Sequence, residues 1–409
     1  MIETPLSLPC GVTLPNRLAK SALSEQLGDR DHAPSDRLVR LYERWGGSGC
    51  GLLATGNVMV DRRALGEPAN VVIEDDSEHE RIALWAKAAQ SGGARAIVQL
   101  NHPGRQSPRT LSPRPVAPSA VPLKGMAKVF STPRALEVSE IQELVRRFAT
   151  TARVVTEAGF DGVQLHGAHG YLISQFLSPL VNRRDDEYGG DPARRRAFLL
   201  DLVMACRDAI GRDRILAVKL NSADFQRGGF GEDESIEVAH ELYAAGIDLL
   251  EISGGTYEKA AMMGVTQRTS TIEREAYFLG FAERLRAECE VPLMVTGGFR
   301  SRDGMESALA SGAVDVIGLG RPLAVDPGFP ARLLAGETDR VEHINPKQVG
   351  LRKLDGLAET VWYTTQLWRI GAGKEPAVGR PAALGVGHYF VRGQLPAVVR
   401  GLRPLRRAS

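Results

Sequence analysis

The chain has 409 residues, of which 43% are hydrophobic and 24% charged, with a net charge of +2. That is long enough for one large domain or two ordinary ones of a soluble globular protein, and the near-neutral charge excludes the basic footprint of a nucleic-acid binder. No apolar run reaches the roughly 18 residues of a membrane span, and the opening MIETPLSLPCGV lacks the basic and long apolar regions of a signal peptide, so a cytoplasmic location is expected.

Taken in order, the chain alternates short apolar runs with longer stretches of helical spacing. Eight runs predict strands: Arg17 to Leu23, Gly51 to Val60, Ala94 to Asn101, Phe160 to Gly167, Ile215 to Ser222, Ile247 to Gly254, Pro292 to Phe299 and Val314 to Arg321. Helices are predicted over Asp36 to Trp45, Arg194 to Ala209, Glu234 to Ala245, Glu275 to Glu288, Arg302 to Ala310 and Pro327 to Leu334. A further stripe runs through Ile141, Leu144, Val145, Phe148, Ala152 and Val155, with Ser139 and Gln142 as its expected capping box. Ser77 and Glu80 give the same signature before Ile82 and Trp85. Strand followed by helix, repeated over about 320 residues, predicts an α/β fold of the (β/α)8 TIM barrel kind. No G-x-G-x-x-G turn follows a strand, which argues against a separate dinucleotide domain.

Two regions exceed a minimal barrel. A proline-rich connection, about 102 to 138, follows the third strand and is expected to form a lid over the strand ends. Beyond a barrel domain of residues 1–335, an extension of residues 336–409 carries a helical pattern through Leu357, Val361, Trp362, Leu367 and Trp368. Its expected seat is the barrel or a second subunit of a homo-oligomer. The run ending Arg400, Arg403, Arg406 and Arg407 reads as a frayed end. Cys10, Cys50, Cys206 and Cys289 stand far apart without C-x-x-C, so they read as ordinary, mostly buried thiols rather than ligands of zinc or an iron–sulfur cluster, and no metal site is expected.

Barrel enzymes keep their chemistry at the carboxyl ends of the strands. There the fourth strand delivers His166, His169 and Tyr171, two imidazoles and a phenol. The first ends in Ser21, Ala22, Leu23 and Ser24, the second near Gly56, where a glycine lets a flat ring approach the backbone. Gln99 brings an amide from the third strand. Lys219 interrupts the apolar fifth strand, and a buried ammonium needs an anion, either a ligand or a carboxylate such as Glu251 or Asp224. Gly297 and Gly298 after the seventh strand, and Gly320 and Arg321 after the eighth, fall where many barrels bind a phosphate. Together these groups suit flavin mononucleotide (FMN).

The stretches LPNRLAKSAL, VQLNHPGR, FDGVQLHGAHGYLISQFLSPLVNRRDDEYGG, TGG and GLGRPL resemble the old yellow enzyme family of flavin-dependent NAD(P)H oxidoreductases, over about Leu14 to Leu334. The resemblance implies FMN as cofactor, NADH or NADPH as hydride donor, and ping-pong reduction of an electrophilic alkene such as an α,β-unsaturated carbonyl. It places Ser21 to Ser24, Gly56, Gln99 and Lys219 on the flavin ring or its chain, with Gly297, Gly298, Gly320 and Arg321 around the phosphate. His166 and His169 would bind the substrate carbonyl and Tyr171 would give the proton. A bacterial branch of the family has cysteine and tyrosine where this chain has Ser24 and Gln26. Ser24 keeps a donor without a thiol, and Gln26 replaces an aromatic wall of the substrate site. Many relatives have arginine where Lys219 stands. The larger iron–sulfur relatives carry a cluster after the barrel, whereas no cysteine follows Cys289 here. Two other classes remain open on the residues alone: a flavin-free phosphate-binding barrel, such as an aldolase using Lys219 as Schiff-base nucleophile, and a flavoprotein that senses or binds without fast turnover.

Overall fold

Alternation along the fifth barrel strand, β5 (Ile215–Asn221), shows how the chain divides inside from outside. Ile215 and Ala217 pack with apolar residues that fill the barrel, while Leu216, Val218 and Leu220 join the larger core between strands and helices. A strand covered on both faces must be apolar nearly throughout, which is why Lys219 stood out. The computed structural model describes residues 1–255, 278–342, 352–383 and 385. In it, β1 (Leu18–Lys20), β2 (Leu52–Met59), β3 (Arg95–Asn101), β4 (Gly162–Gly167), β5, β6 (Leu249–Ser253), β7 (Leu293–Thr296) and β8 (Val316–Leu319) pair in parallel, and β1 closes the ring by pairing with both β8 and β2. All eight predicted strands are present, each trimmed at one end or both. The predicted (β/α)8 TIM barrel is the observed fold.

Apolar Ala19, Leu52, Ile97, Ile215, Leu249, Met294 and Val316 fill the amino-terminal half of the barrel, and a small hairpin, Leu6–Ser7 against Thr13–Leu14, adds Leu8 and Leu14 beneath them. Polar residues occupy the other half, so the chemistry is confined to one end.

The outer helices follow their predicted stripes: α1 (Asp36–Gly46), α2 (His79–Ala89), α3 (Val138–Glu157), α4 (Pro192–Ile210), α5 (Glu232–Ala244), α6 (Leu279–Arg286), α7 (Arg302–Ala310) and α8 (Phe329–Leu334). The start predicted for α6, at Glu275, lies outside the described residues. Ser35, Asp191 and Ser301 cap α1, α4 and α7 by accepting from Leu38, Arg194 and Gly304 amides. Two predicted caps are corrected. Helix α3 starts earlier, and the Glu140 carboxylate accepts from the Glu137 amide at 3.0 Å, so the pair is Glu137 with Glu140 rather than Ser139 with Gln142. Helix α2 begins after Glu78 with no side-chain cap, and the Ser77 amide turns back to Asp75 instead.

The connection after β3 is ordered. It contains a single 3-10 turn, Gly104–Gln106, and a short parallel pair, Val116–Ala117 with Arg134–Ala135, and it buries Leu123, Phe130 and Leu136. The tail helix α9 (Arg352–Gly371) docks on the barrel, as one of the two expected seats required: Arg37 donates to the Trp368 carbonyl at 2.7 Å, and the Trp368 indole donates to the Glu25 carbonyl at 3.0 Å. The basic run from Arg400 onward lies outside the described residues.

Candidate active site at the carboxyl ends of the strands

A continuous polar layer crosses the upper barrel. The Gln99 amide donates to Gln164 Oε1 (2.7 Å), Gln164 Nε2 donates to Glu251 Oε2 (2.8 Å), and Glu251 Oε1 receives both Lys219 Nζ (2.9 Å) and the Thr296 hydroxyl (2.6 Å). Thr296 in turn lies 2.7 Å from Ser21 Oγ. Strand register makes this layer possible, because Gln99 faces Gln164 and Lys219 faces Glu251 across neighbouring strands. Lys219 therefore has the carboxylate partner that the sequence left open, and Glu251 is fully buried beside it. Gln99 spends its donor on Gln164, while its Oε1 is buried without a partner among the described residues. Gln164 and Thr296 escaped the sequence reading, since a lone glutamine or threonine in a strand carries no chemical signal before its neighbours are known.

Above that layer, β4 delivers the imidazoles. The His166 ring lies 5.0 Å from the His169 ring and 4.8 Å from Tyr171, edge to face in both cases, so the three predicted residues form one cluster. His169 takes a left-handed φ of 63° and Gly170 one of 76°, a turn that swings Tyr171 back over the strand end. The Asn221 side chain holds that turn by accepting from the His169 amide at 3.1 Å. His166 Nδ1 accepts from the Ala168 amide at 3.3 Å, which leaves the proton on Nε2. His169 Nε2 pairs with Ser253 Oγ at 2.8 Å, a partner the sequence did not reveal. Burial pushes both imidazoles well below their ordinary range; for His166 the neighbouring His169 and Lys219 add to this, and for His169 Lys219 does so. Both rings are thus neutral hydrogen-bonding groups.

The end of β1 differs from expectation. Ser24 Oγ donates to the Glu67 carboxylate, Gln26 Nε2 donates to Glu67 Oε1 at 3.1 Å, and Asn70 adds a third bond at 3.3 Å. Burial raises the Glu67 carboxyl above its usual range. Gly56 is explained by the protein itself: a Cβ there would stand 1.9 Å from Glu25 Oε2 and 2.2 Å from the Leu23 carbonyl, and its amide donates to Glu25 Oε1 at 2.8 Å. The close approach read as room for a ring is made by the tail of β1. Beneath it the fully buried Lys20 donates to the Ala54 carbonyl (2.7 Å) and Tyr42 hydroxyl (3.2 Å), and burial lowers its ammonium to about 8.

A cavity of about 210 Å³ runs from Ser21, Ala22 and Leu23, past His169 and Lys219, to Gly297, Gly298, Gly320 and Arg321. Gly297 and Gly298 have φ of 133° and 95°, values a side chain resists, so this wall offers bare backbone. Arg321 lines the same end, steered by Glu359 of α9 at 3.1 Å. A long polar ligand with a flat head and an anionic tail fits this shape: backbone and guanidinium at one end, ammonium and imidazole at the other. Among the described residues, none of the connection after β3 lines this cavity. That segment meets the cluster where Gln106 Nε2 donates to the His169 carbonyl at 3.1 Å, so the expected lid sits at the rim.

A barrel with glycine turns and an arginine after β7 and β8, and a donor cluster after β4, has the outline of a nucleotide-cofactor enzyme. Comparison with known proteins identifies which. The sequence model of the NADH:flavin oxidoreductase / NADH oxidase family matches residues 3–340, and the chain belongs to that family, the old yellow enzyme group. It is 37% identical over 353 residues to the NADH-dependent flavin oxidoreductase iliE of Hypocrea jecorina, covering 81% of this chain and 88% of that one. Its fold matches an old yellow enzyme homologue from Zymomonas mobilis (TM-score 0.70, 26% identity, 83% of this chain and 94% of that one). It also matches morphinone reductase in complex with tetrahydroNAD (TM-score 0.69, 27% identity, 83% and 92%). The protein is an FMN-dependent NAD(P)H oxidoreductase. This membership also removes the flavin-free aldolase, whose nucleophile would have been the lysine that is paired with Glu251.

Proposed function

We propose that this enzyme reduces the activated C=C bond of an α,β-unsaturated carbonyl compound, by a ping-pong sequence in which NAD(P)H gives up its hydride and leaves as NAD(P)+ before the alkene enters. FMN supplies a two-electron carrier that receives hydride from the nicotinamide and passes it on. Ser21, Ala22, Leu23 and Lys219 would hold its ring, with Gly297, Gly298, Gly320 and Arg321 around its phosphate. Gln99, in the polar layer, would support that ring from within the barrel, and Ser24, Gly56 and Gln26 would shape the wall nearest β1.

The observation that carries the reading is the neutral His166/His169 pair closed over by Tyr171. Two neutral imidazoles at the mouth of the barrel would suit a carbonyl oxygen on which negative charge builds as the β-carbon is reduced, and removing one such donor typically costs ~2.7–4 kcal/mol. Tyr171, whose ring packs against His166, would protonate the α-carbon. A sensing flavoprotein needs no such constellation. Anaerobic reduction of the purified yellow protein by NADH and NADPH, followed by mixing with cyclic and acyclic enones, tests the assignment. Rapid return of oxidised flavin with saturated product is expected. Recovery with oxygen or quinones alone, and with no enone, would overturn it.

A further inference from the structure

The connection after β3 builds a second cleft, of about 310 Å³, against the segment after β2 and the first turns of α3. It shares no lining residue with the flavin cavity. Its walls are apolar at Ala64, Val116, Leu136 and Leu144, and its four arginines face three carboxylates.

Three of those arginines are already held. Arg63 grips Asp61 (2.6 Å), Arg134 grips Glu140 (2.6 Å), and Arg147 lies 3.1 Å from both Glu74 and Glu143. Arg114, an exposed side chain at the mouth of the cleft, has no such partner among the described residues. A second donor points the same way. His102 is 3% exposed, and its Nδ1 accepts from the Gly104 amide at 3.1 Å, which puts the proton on Nε2. Among the described residues that N–H has no acceptor, and the ring borders the cleft. The N–H is open to the cleft rather than sealed in the core, so a ligand acceptor there would take the place of water. Burial lowers the imidazole to about 4, so it is a neutral donor and adds no charge.

From these groups we infer that the cleft is a second binding site, for a small monocarboxylate with an apolar body. Its carboxylate would meet Arg114 and the His102 N–H while its hydrocarbon part lies on Val116, Leu136 and Leu144. One guanidinium and one neutral N–H match a single carboxylate better than a phosphate dianion, and the apolar walls have no use for an inorganic ion. The cleft wall at Gly104 continues into Gln106, which bonds the His169 carbonyl.

Calorimetric titration of the FMN-loaded protein with 4-phenylbutyrate tests this, with 4-phenylbutyramide and inorganic phosphate in parallel. The acid should bind saturably. Arg114→Ala, at an exposed side chain, should weaken it by roughly five-fold or more, and the uncharged amide should lose a similar factor. His166→Ala should leave acid binding within about two-fold, because that residue packs with His169 and Tyr171 and does not line the cleft. The inference fails if no saturable binding appears, if acid and amide bind alike, or if Arg114→Ala changes nothing. It fails equally if His166→Ala abolishes binding, which would place the probe at the flavin, or if phosphate binds as tightly, which would show an adventitious ion only.

Discussion

Protonation states at His166 and His169 decide how this site behaves with pH. Both imidazoles are pushed well below 6.5, so neither changes charge across the neutral range. The expected consequence is an enone-dependent reoxidation rate that shows no histidine inflection between about pH 6 and 8; a sigmoid centred near 6.5 would mean that one ring is solvated and titrating. Tyr171 is proposed for one half-reaction alone. Tyr171→Phe keeps the ring packed beside His166 and should leave bleaching by NADH within a few-fold of the parent, while enone reoxidation slows by ~10²–10⁴, the usual worth of a general acid. Stopped-flow traces of the two half-reactions check this, and equal loss in both would point to a packing role.

Among the elements, α9 and the turn after β8 act together. Arg321 lines the cavity and is bonded to Glu359, while Trp368 ties the same helix to the end of β1. If Arg321 meets the phosphate, Arg321→Ala should weaken FMN by roughly ten-fold or more, the scale of a charge-assisted hydrogen bond. Riboflavin, which lacks the phosphate, should be affected little, and fluorescence titration of the apoprotein with both flavins separates the outcomes. Equal weakening of the two would assign Arg321 to packing. Trp368→Ala removes a nearly buried indole and should cost about 3–5 kcal/mol of local or global stability. Urea unfolding, compared with loss of flavin absorbance, reports whether the helix leaves alone or takes the barrel with it.

For the molecule as a whole, buried imidazoles set the acid side of the stability curve. His102 titrates at about 4, and His166 and His169 well below 6.5. As pH falls below 6.5 the unfolded chain takes up protons that the folded chain refuses, so stability is complete above that value and drains away towards 4. The raised carboxyls of Glu67 and Asp224 work in the opposite sense, since the fold favours their protonated forms. Glu3 and Glu140, held at about 2 by Arg302 and Arg134, lose their contribution only below 4.5, and as exposed pairs they contribute little. Urea midpoints at pH 7.5 and 5 should therefore differ, with the lower value at pH 5. A flat profile would show that the imidazoles are hydrated in solution.

Strand positions, helix stripes and the residues bearing chemistry were legible in the sequence because each rests on local pattern. Apolar runs of strand length, separated by helical spacing, leave little besides a barrel, and His166, His169, Tyr171, Gly297, Gly298 and Arg321 sit at strand ends wherever those runs stop. Partnership was not legible. Glu251 lies 32 residues from Lys219, Ser253 lies 84 from His169, and Glu359 lies 38 from Arg321. Those distances along the chain are closed only by the register of a shut barrel and by the docking of α9. The same holds for Gly56, whose missing side chain makes room for Glu25 rather than for a ring, and for Glu67, which becomes a partner of Ser24 and Gln26 once the segment after β2 folds back. Periodicity is a property of neighbours in sequence, so the sequence by itself determined which elements form and where chemistry is presented. Charge compensation and hydrogen bonding are properties of neighbours in space, and only the tertiary structure decided which of those groups are spent on the protein and which face a ligand.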